Sequence, residues 1–174
     1  MSLVDRAKNI LFSPASEWQA IANEPATVGG LFTGYAIPLM ILPVIGQIVG
    51  LGLLGIGADS YAMMGLGAIG LMGGAVIAGV TFVLGLVLLY AMIFAVNAIS
   101  PSFNGKSDSV QAAKLMIYAS TPSWVAGLIV PFLGAVGGLV GLAATAYVVY
   151  LIHTGCRPVM DVPAEKNAGF TVVH

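Results

Sequence analysis

The stretch FNGKSDSVQAAKLMIYASTPSWVAG, Phe103 to Gly127, holds Lys106, Asp108 and Lys114 within a dozen residues of a chain that otherwise has almost no charge. Immediately after Lys114 the sequence turns apolar, and Pro122 sits inside the apolar run. A charged island between two long uncharged blocks reads as a loop between membrane spans, and its basic residues fix the side on which it lies.

Working outward, charge is absent from residues 25–58, 60–105 and 115–156. Charged residues make up 7% of the chain and apolar residues 59%, whereas about 25% charge is usual in soluble domains. Too little polar surface is available to face water, so lipid is the expected solvent. Crossing a bilayer takes about 20 helical residues. The first block accommodates one span, the third accommodates two around the turn PFLGAVGG (Pro131–Gly138), and the middle block fits one long span or two short ones.

The six basic residues decide between these. One middle span places Arg6, Lys8, Lys106, Lys114, Arg157 and Lys166 on one face of the membrane, as the positive-inside tendency favours; two would divide them. The expected architecture is an all-α polytopic transmembrane bundle with spans near 30–53, 72–98, 112–131 and 136–154 and both ends cytoplasmic. Asp59 lies in the outer loop, and GLGAIGLMGG (Gly65–Gly74) leads into the second span. A membrane barrel would show alternating polar and apolar residues, whereas these runs are continuously apolar.

Inside the third span Pro122 removes a backbone donor and bends the helix. Ser120, Thr121 and Ser123 are placed to satisfy the freed carbonyl. Ser107 or Ser109 is the expected N-cap of this helix.

At the N-terminus, FSPASEWQAIANEP (Phe12–Pro25) reads as a short amphipathic helix with Ser13 as N-cap, Pro14 in its first position and Trp18 at headgroup level. The preceding LVDRAKNILF offers Leu3, Ala7, Ile10 and Leu11 as an apolar face, either for the membrane surface or for packing on the bundle. Residues 1–28 form a cytoplasmic amphipathic segment, 29–155 the transmembrane domain and 156–174 a cytoplasmic tail. No continuous apolar core of a cleavable signal peptide appears near the N-terminus.

Three pieces in this order, LFSPASEW, FNGKSDSVQAAKLMIYASTP and GCRPVMDVPAEKNAGFTVV, resemble the Yip family of membrane proteins (Ypt/Rab-interacting proteins), and in particular its bacterial branch. The resemblance runs from about Ala7 to Val173. It implies a five-span bundle with a cytoplasmic N-terminus, of which GFTVV would open the fifth span. It implies vesicle-transport roles and Rab-type GTPase contacts in eukaryotic relatives, and no defined activity in bacteria. The localisation it suggests is the bacterial inner membrane.

Composition narrows the function further. A net charge of −1 excludes the basic footprint of a nucleic-acid binder. Single Cys156 allows neither an internal disulfide nor a cysteine-based zinc cluster. No charged residue is placed in the interior of a span, and no carboxylate is available there for ion coupling. Gln47 and Asn97 are expected to close local hydrogen bonds, and Met63, Met64 and Met72 to fill gaps between helices. His153 is expected to anchor a helix end. Cys156 beside Arg157 reads as a bystander, the alternatives being an activated thiol or an acylation site. Gly46–Gly50, Gly70–Gly74, Gly134–Gly138 and Gly137–Gly141 have the spacing that brings helices close, within one bundle or between copies.

No converging nucleophile, base or metal-ligand set is visible, so no catalytic residue and no cofactor is expected. The expected function is to bind or organise other membrane components, with Lys106, Gln111, Lys114, Tyr118 and Pro122 as the interaction or helix-shaping site. A small-molecule permease or lipid-handling protein is the alternative. The expected partners are the bilayer and other membrane proteins or further copies of this chain.

Overall fold

The structure, a computed structural model, describes all residues except 64, 66–69, 173 and 174. Among the described residues there is helix and no strand. Two short helices, α1 (Leu3–Phe12) and α2 (Pro14–Asn23), precede four helices long and apolar enough to cross a membrane: Val28–Leu53, Leu71–Phe103, Ser109–Phe132 and Val136–Met160. These are the four expected spans, each longer than expected at one or both ends.

The first and third spans form the inner pair, with 39% and 44% of their most apolar windows buried, against 17% for the second and fourth. The outer pair exposes Val76, Val83, Val87 and Leu88 from one span and Leu139 and Leu142 from the other. In water such walls would be unstable; in a bilayer they meet lipid. The first span is not a regular α-helix. Wide π turns at Phe32–Ala36 and Ile48–Leu53 flank the segment that carries Pro38 and Pro43. The missing proline donors are absorbed by loosening the helix rather than by breaking it.

The turn expected between the last two spans is present. A short 3₁₀ segment, Val130–Phe132, ends the third span, and Gly134 takes φ +54, a conformation that disfavours any other residue.

Fully buried side chains gather at one end of the bundle. Ile10, Trp18, Ile21, Leu115, Met116, Ile117, Leu151, Met160 and Phe170 all lie there, contributed by α1, α2, the start of the third span, the end of the fourth and the tail. The choice left open for LVDRAKNILF is therefore settled for most of its apolar face. Ala7 and Ile10 are buried in the protein, while Val4 and Phe12 remain on the outer edge.

Several local expectations need correction. Trp18 is not a headgroup anchor: it is fully buried, and its Nε1 donates to Thr154 Oγ1 at 3.2 Å. Ser13 makes no side-chain cap on α2; its backbone N–H closes α1 on Asn9 O at 2.7 Å, so the residue serves as the hinge between two helices. The third span is capped by Asp108 rather than by Ser107 or Ser109. Its Oδ1 accepts from Val110 N at 2.8 Å and Gln111 N at 3.2 Å. A carboxylate satisfies two orphan donors and also complements the positive end of the helix dipole, which a serine hydroxyl does not. Met63 and Met72 are 83% and 80% exposed and fill no gap; Met64 lies outside the described residues.

The polar groups within the membrane find local partners as expected. Thr81 Oγ1 donates to Gln47 Oε1 at 3.1 Å, and Ser107 Oγ to Asn97 Oδ1 at 3.5 Å. Cys156 is buried, with its Sγ against Asn167 Oδ1 and out of reach of an acyl donor. His153 Nδ1 meets Thr171 Oγ1 at 3.2 Å, tying the fourth span to the tail helix Asn167–Val172.

Candidate functional site

Helix α2 ends at Asn23 with its last carbonyls unpaired within the helix, as every helix does. The third span meets this end from the side. Lys114 Nζ donates to Ala22 O at 3.2 Å and to Glu24 O at 2.6 Å, and Gln111 Nε2 donates to Ala22 O at 3.2 Å. An ammonium at the negative end of a helix dipole is favourable, and the effect grows when the site is partly buried.

Lys114 is only 3% exposed and lies inside the third span. This corrects the expectation that no charge lies within a span. The cost of burying its ammonium is met by the carbonyls of α2 and by the nearby carboxylates.

Those carboxylates form the second half of the site. Arg6 of α1 is 6% exposed and bridges two acids. Its Nη1 meets Glu17 Oε1 at 2.5 Å, and its Nη2 meets Glu24 Oε2. Glu17 is as buried as Arg6. With Lys114 the set holds two positive and two negative charges, so the cluster closes neutral. Arg6 also lies over the Tyr118 ring, 5.6 Å from its centroid, a cation–π geometry.

From Tyr118 the contacts continue toward the middle of the membrane. Tyr118 packs edge-on against Tyr35 at 4.6 Å between ring centroids. The Tyr35 hydroxyl lies 2.9 Å from Thr121 Oγ1. Thr121 Oγ1 in turn donates to Tyr118 O at 2.7 Å. That carbonyl is the one Pro122 leaves without its helical donor, being four residues earlier. Of the three hydroxyls expected to serve that carbonyl, Thr121 alone does so: Ser120 Oγ donates at 2.7 Å to Met116 O, which already accepts from Ser120 N, and Ser123 Oγ makes no such bond. The third span is accordingly two segments, Ser109–Ala119 and Thr121–Ile129, joined at Ser120.

Two changes test this hinge. Because Tyr118 O is already satisfied, Pro122→Ala should change stability by under about 1 kcal/mol while straightening the span. Cysteine cross-links between the third and fourth spans should shift; an unchanged pattern removes Pro122 as a shaping residue. Thr121→Val should cost more, about 1–3 kcal/mol, because it strands both a buried carbonyl and the Tyr35 hydroxyl.

Of the five residues expected to form the site, Gln111, Lys114, Tyr118 and Pro122 lie along one side of the third span and join one continuous set of contacts. Lys106 does not. It stands outside the span, paired with Asp161 beyond the end of the fourth span, and its backbone N–H donates to Met160 O at 2.8 Å. The hydrogen bond to Asp161 and its charge hold the Lys106 pKa above the ordinary 10.5. A lysine raised in this way contributes stability below its ordinary value and loses it as pH rises through the raised one. The pair should therefore be indifferent to pH across the neutral range. Being exposed, it is screened by water, and thermal melts of Lys106→Gln at pH 7 should match the parent protein. A clear loss would mean that the pair holds the loop.

Arg6, Glu17, Glu24, Tyr35 and Thr121 were not among the expected site residues. One signal pointed to them. Lys114 needs partners from other elements, and the largest group of acids in the sequence, Asp5, Glu17 and Glu24, lies in the first 24 residues.

Among the described residues no group of three histidines, cysteines or acids is placed to hold a metal ion. Among the described residues, Gln111 Oε1 and Ser100 Oγ are the buried side-chain atoms left without a hydrogen-bond partner. Between α2, the start of the first span and the third span lies a cavity of about 230 Å³, bordered by Glu24, Thr27, Lys114 and Tyr118. The chemistry on offer is that of a clamp. Arg6 is engaged by the two carboxylates and Lys114 by backbone carbonyls, which fixes α1 and α2 to the spans.

No curated protein and no solved structure matches the chain. The sequence profile of the Yip1 domain matches residues 8–173. That match takes in α1 from Lys8 onward, all four spans, Glu17, Glu24 and Lys114 of the clamp but not Arg6, and the docked tail, and the chain therefore belongs to the Yip1 domain family.

Proposed function

We propose that this multi-pass membrane protein acts without catalysis, binding or organising other membrane components through its bundle and its charged end. The observation that carries this reading is the closed clamp of Arg6, Glu17, Glu24 and Lys114. Its ionisable groups are spent on holding a two-helix cap against the third span, which builds a rigid surface rather than a reactive one. All six basic residues belong to this end: Arg6 and Lys8 on α1, Lys106 and Lys114 at the loop, and Arg157 and Lys166 at the fourth span and tail. The positive-inside tendency makes it the cytoplasmic end, in keeping with the inner membrane of a bacterium. Partners would then meet the capped end from the cytoplasm or the exposed walls of the second and fourth spans from within the bilayer.

A lipid-handling role is the second reading. A cleft of about 140 Å³ between the first and second spans is bordered by Met40, Gln47, Thr81 and Trp124, and it places a polar pair beside an apolar wall.

Native mass spectrometry of the tagged protein, extracted from its own membrane into lipid discs, tests the two. A stoichiometric protein partner, retained by the parent chain and lost from Arg6→Met, supports the organiser. A bare chain carrying one defined lipid in fixed ratio moves the function to lipid handling.

A further inference from the structure

A second, larger cavity lies apart from the clamp. It is an open groove of about 730 Å³ between α2, the last turn of the fourth span and the tail, and Gln19, His153, Thr154, Arg157, Asp161 and Asn167 line it. Most of these groups are already committed. Asp161 pairs with Lys106. His153 meets Thr171 and Asn167, and Thr154 is held by Trp18 and by the backbone of its own helix. Arg157 and the Gln19 amide are different: both are exposed, and neither side chain has a hydrogen bond or ion pair among the described residues.

A basic residue in the last turn of a helix often serves the helix's own unpaired carbonyls. Here two of those carbonyls are taken by backbone donors: Asp161 N donates to Arg157 O at 3.1 Å and Lys106 N to Met160 O at 2.8 Å. The guanidinium makes no capping bond and lines the groove instead. The fourth span has 25 residues and rises roughly 37 Å, more than the hydrocarbon core of about 30 Å, so its last turn, which carries Arg157, is expected at headgroup level.

We propose that this groove binds a phosphate group, with the Arg157 guanidinium as the charged fork and the Gln19 amide as the opposing donor. A guanidinium presents paired N–H groups that match two phosphate oxygens, and the charge-assisted bonds it forms are stronger than neutral ones. The phosphate belongs either to an anionic lipid entering from the bilayer edge or to a soluble phosphate ester entering from the aqueous side.

The test separates these sources. The full chain is placed in discs of phosphatidylcholine containing a minor share of phosphatidylglycerol, and lipids retained after release are counted by native mass spectrometry. In parallel, Trp18 fluorescence is followed during titration with inorganic phosphate and with glycerol 3-phosphate in a neutral detergent, since Trp18 hydrogen-bonds to Thr154 of the groove. Phosphatidylglycerol should be enriched about tenfold over its share, the factor one charge-assisted hydrogen bond supplies. Arg157→Gln should abolish the enrichment, Arg157→Lys should keep part of it, and Lys8→Gln, which removes an equal charge from the same end, should keep all of it. A Trp18 response to the soluble phosphates that Arg157→Gln abolishes, without lipid enrichment, assigns the groove to a soluble ester. Equal losses from Arg157→Gln and Lys8→Gln, or no preference in either arm, overturn the proposal. Arg157 has no structural partner to lose, so its variants should melt with the parent chain; an altered melt would itself show that the side chain is structural and would also overturn it.

Discussion

Replacing Arg6 with methionine should detach α1 and α2 from the spans. Arg6 is the buried cation between Glu17 and Glu24, and Glu17 is as inaccessible as Arg6 itself. Removing one partner of a buried ion pair leaves the other charge in a medium that does not solvate it, which costs about 3–5 kcal/mol. The Glu24 side chain is 47% exposed and recovers water, so most of the loss falls on Glu17. A penalty of this size shifts the docked-to-free ratio of the cap by about a hundredfold or more. Trp18 reports the change. It is fully buried in the cap, whereas the second tryptophan, Trp124, lies within the third span and should not move. The expected result is a red-shifted Trp18 emission and faster amide exchange through α2. Unchanged emission and exchange would show that the ion pair is not what holds the cap. Arg6→Met combined with Glu17→Leu separates charge burial from packing. Replacing both ends of a buried pair with apolar side chains is often neutral, so the double variant should regain much of the docking that the single one loses.

The clamp also shows where sequence reading stops. The four spans followed from charge spacing, the turn Pro131–Gly138 and the side on which the basic residues fall, because a bilayer imposes a length on any helix that crosses it and favours basic residues on one face. The hinge at Pro122 followed from one missing donor and three adjacent hydroxyls. The identity of the partner of Lys114 did not follow. Its contacts are carbonyls of residues 22 and 24, some 90 positions earlier in the chain, and a carbonyl has no signature in a sequence. Trp18 failed for a related reason. A tryptophan near a membrane end satisfies its N–H in the headgroup layer or on a buried hydroxyl, and Thr154 became visible as that hydroxyl only once the fourth span was seen beside α2. Asp108 was legible in principle. It precedes two helical N–H groups that a carboxylate serves better than a serine hydroxyl does.

Adding one methyl group at Gly46 should be the most damaging small change inside the membrane. A Cβ there would lie 2.6 Å from Gly127 O and 2.7 Å from Leu128 O. Both atoms are backbone, so no rotamer change relieves the contact, and the first and third spans must separate. The facing position shows the same constraint: a Cβ on Gly127 would lie 2.7 Å from Pro43 Cβ. Overpacking of this kind costs about 1–3 kcal/mol, and Gly46→Leu should exceed Gly46→Ala. For a chain of this size that corresponds to a fall of about 2–10 °C in melting midpoint in lipid discs. Gly141→Ala is the control. It has the same expected helix-packing spacing with Gly137, yet nothing lies within 4 Å of a Cβ at residue 141, and its midpoint should be unchanged or slightly raised. If Gly46→Ala and Gly141→Ala melt alike, the close approach of the first and third spans is wrong. The combined Gly46→Ala, Gly127→Ala variant sharpens the point. Once the spans have moved apart for one methyl, the second meets less resistance, so the joint loss should fall short of the sum of the two.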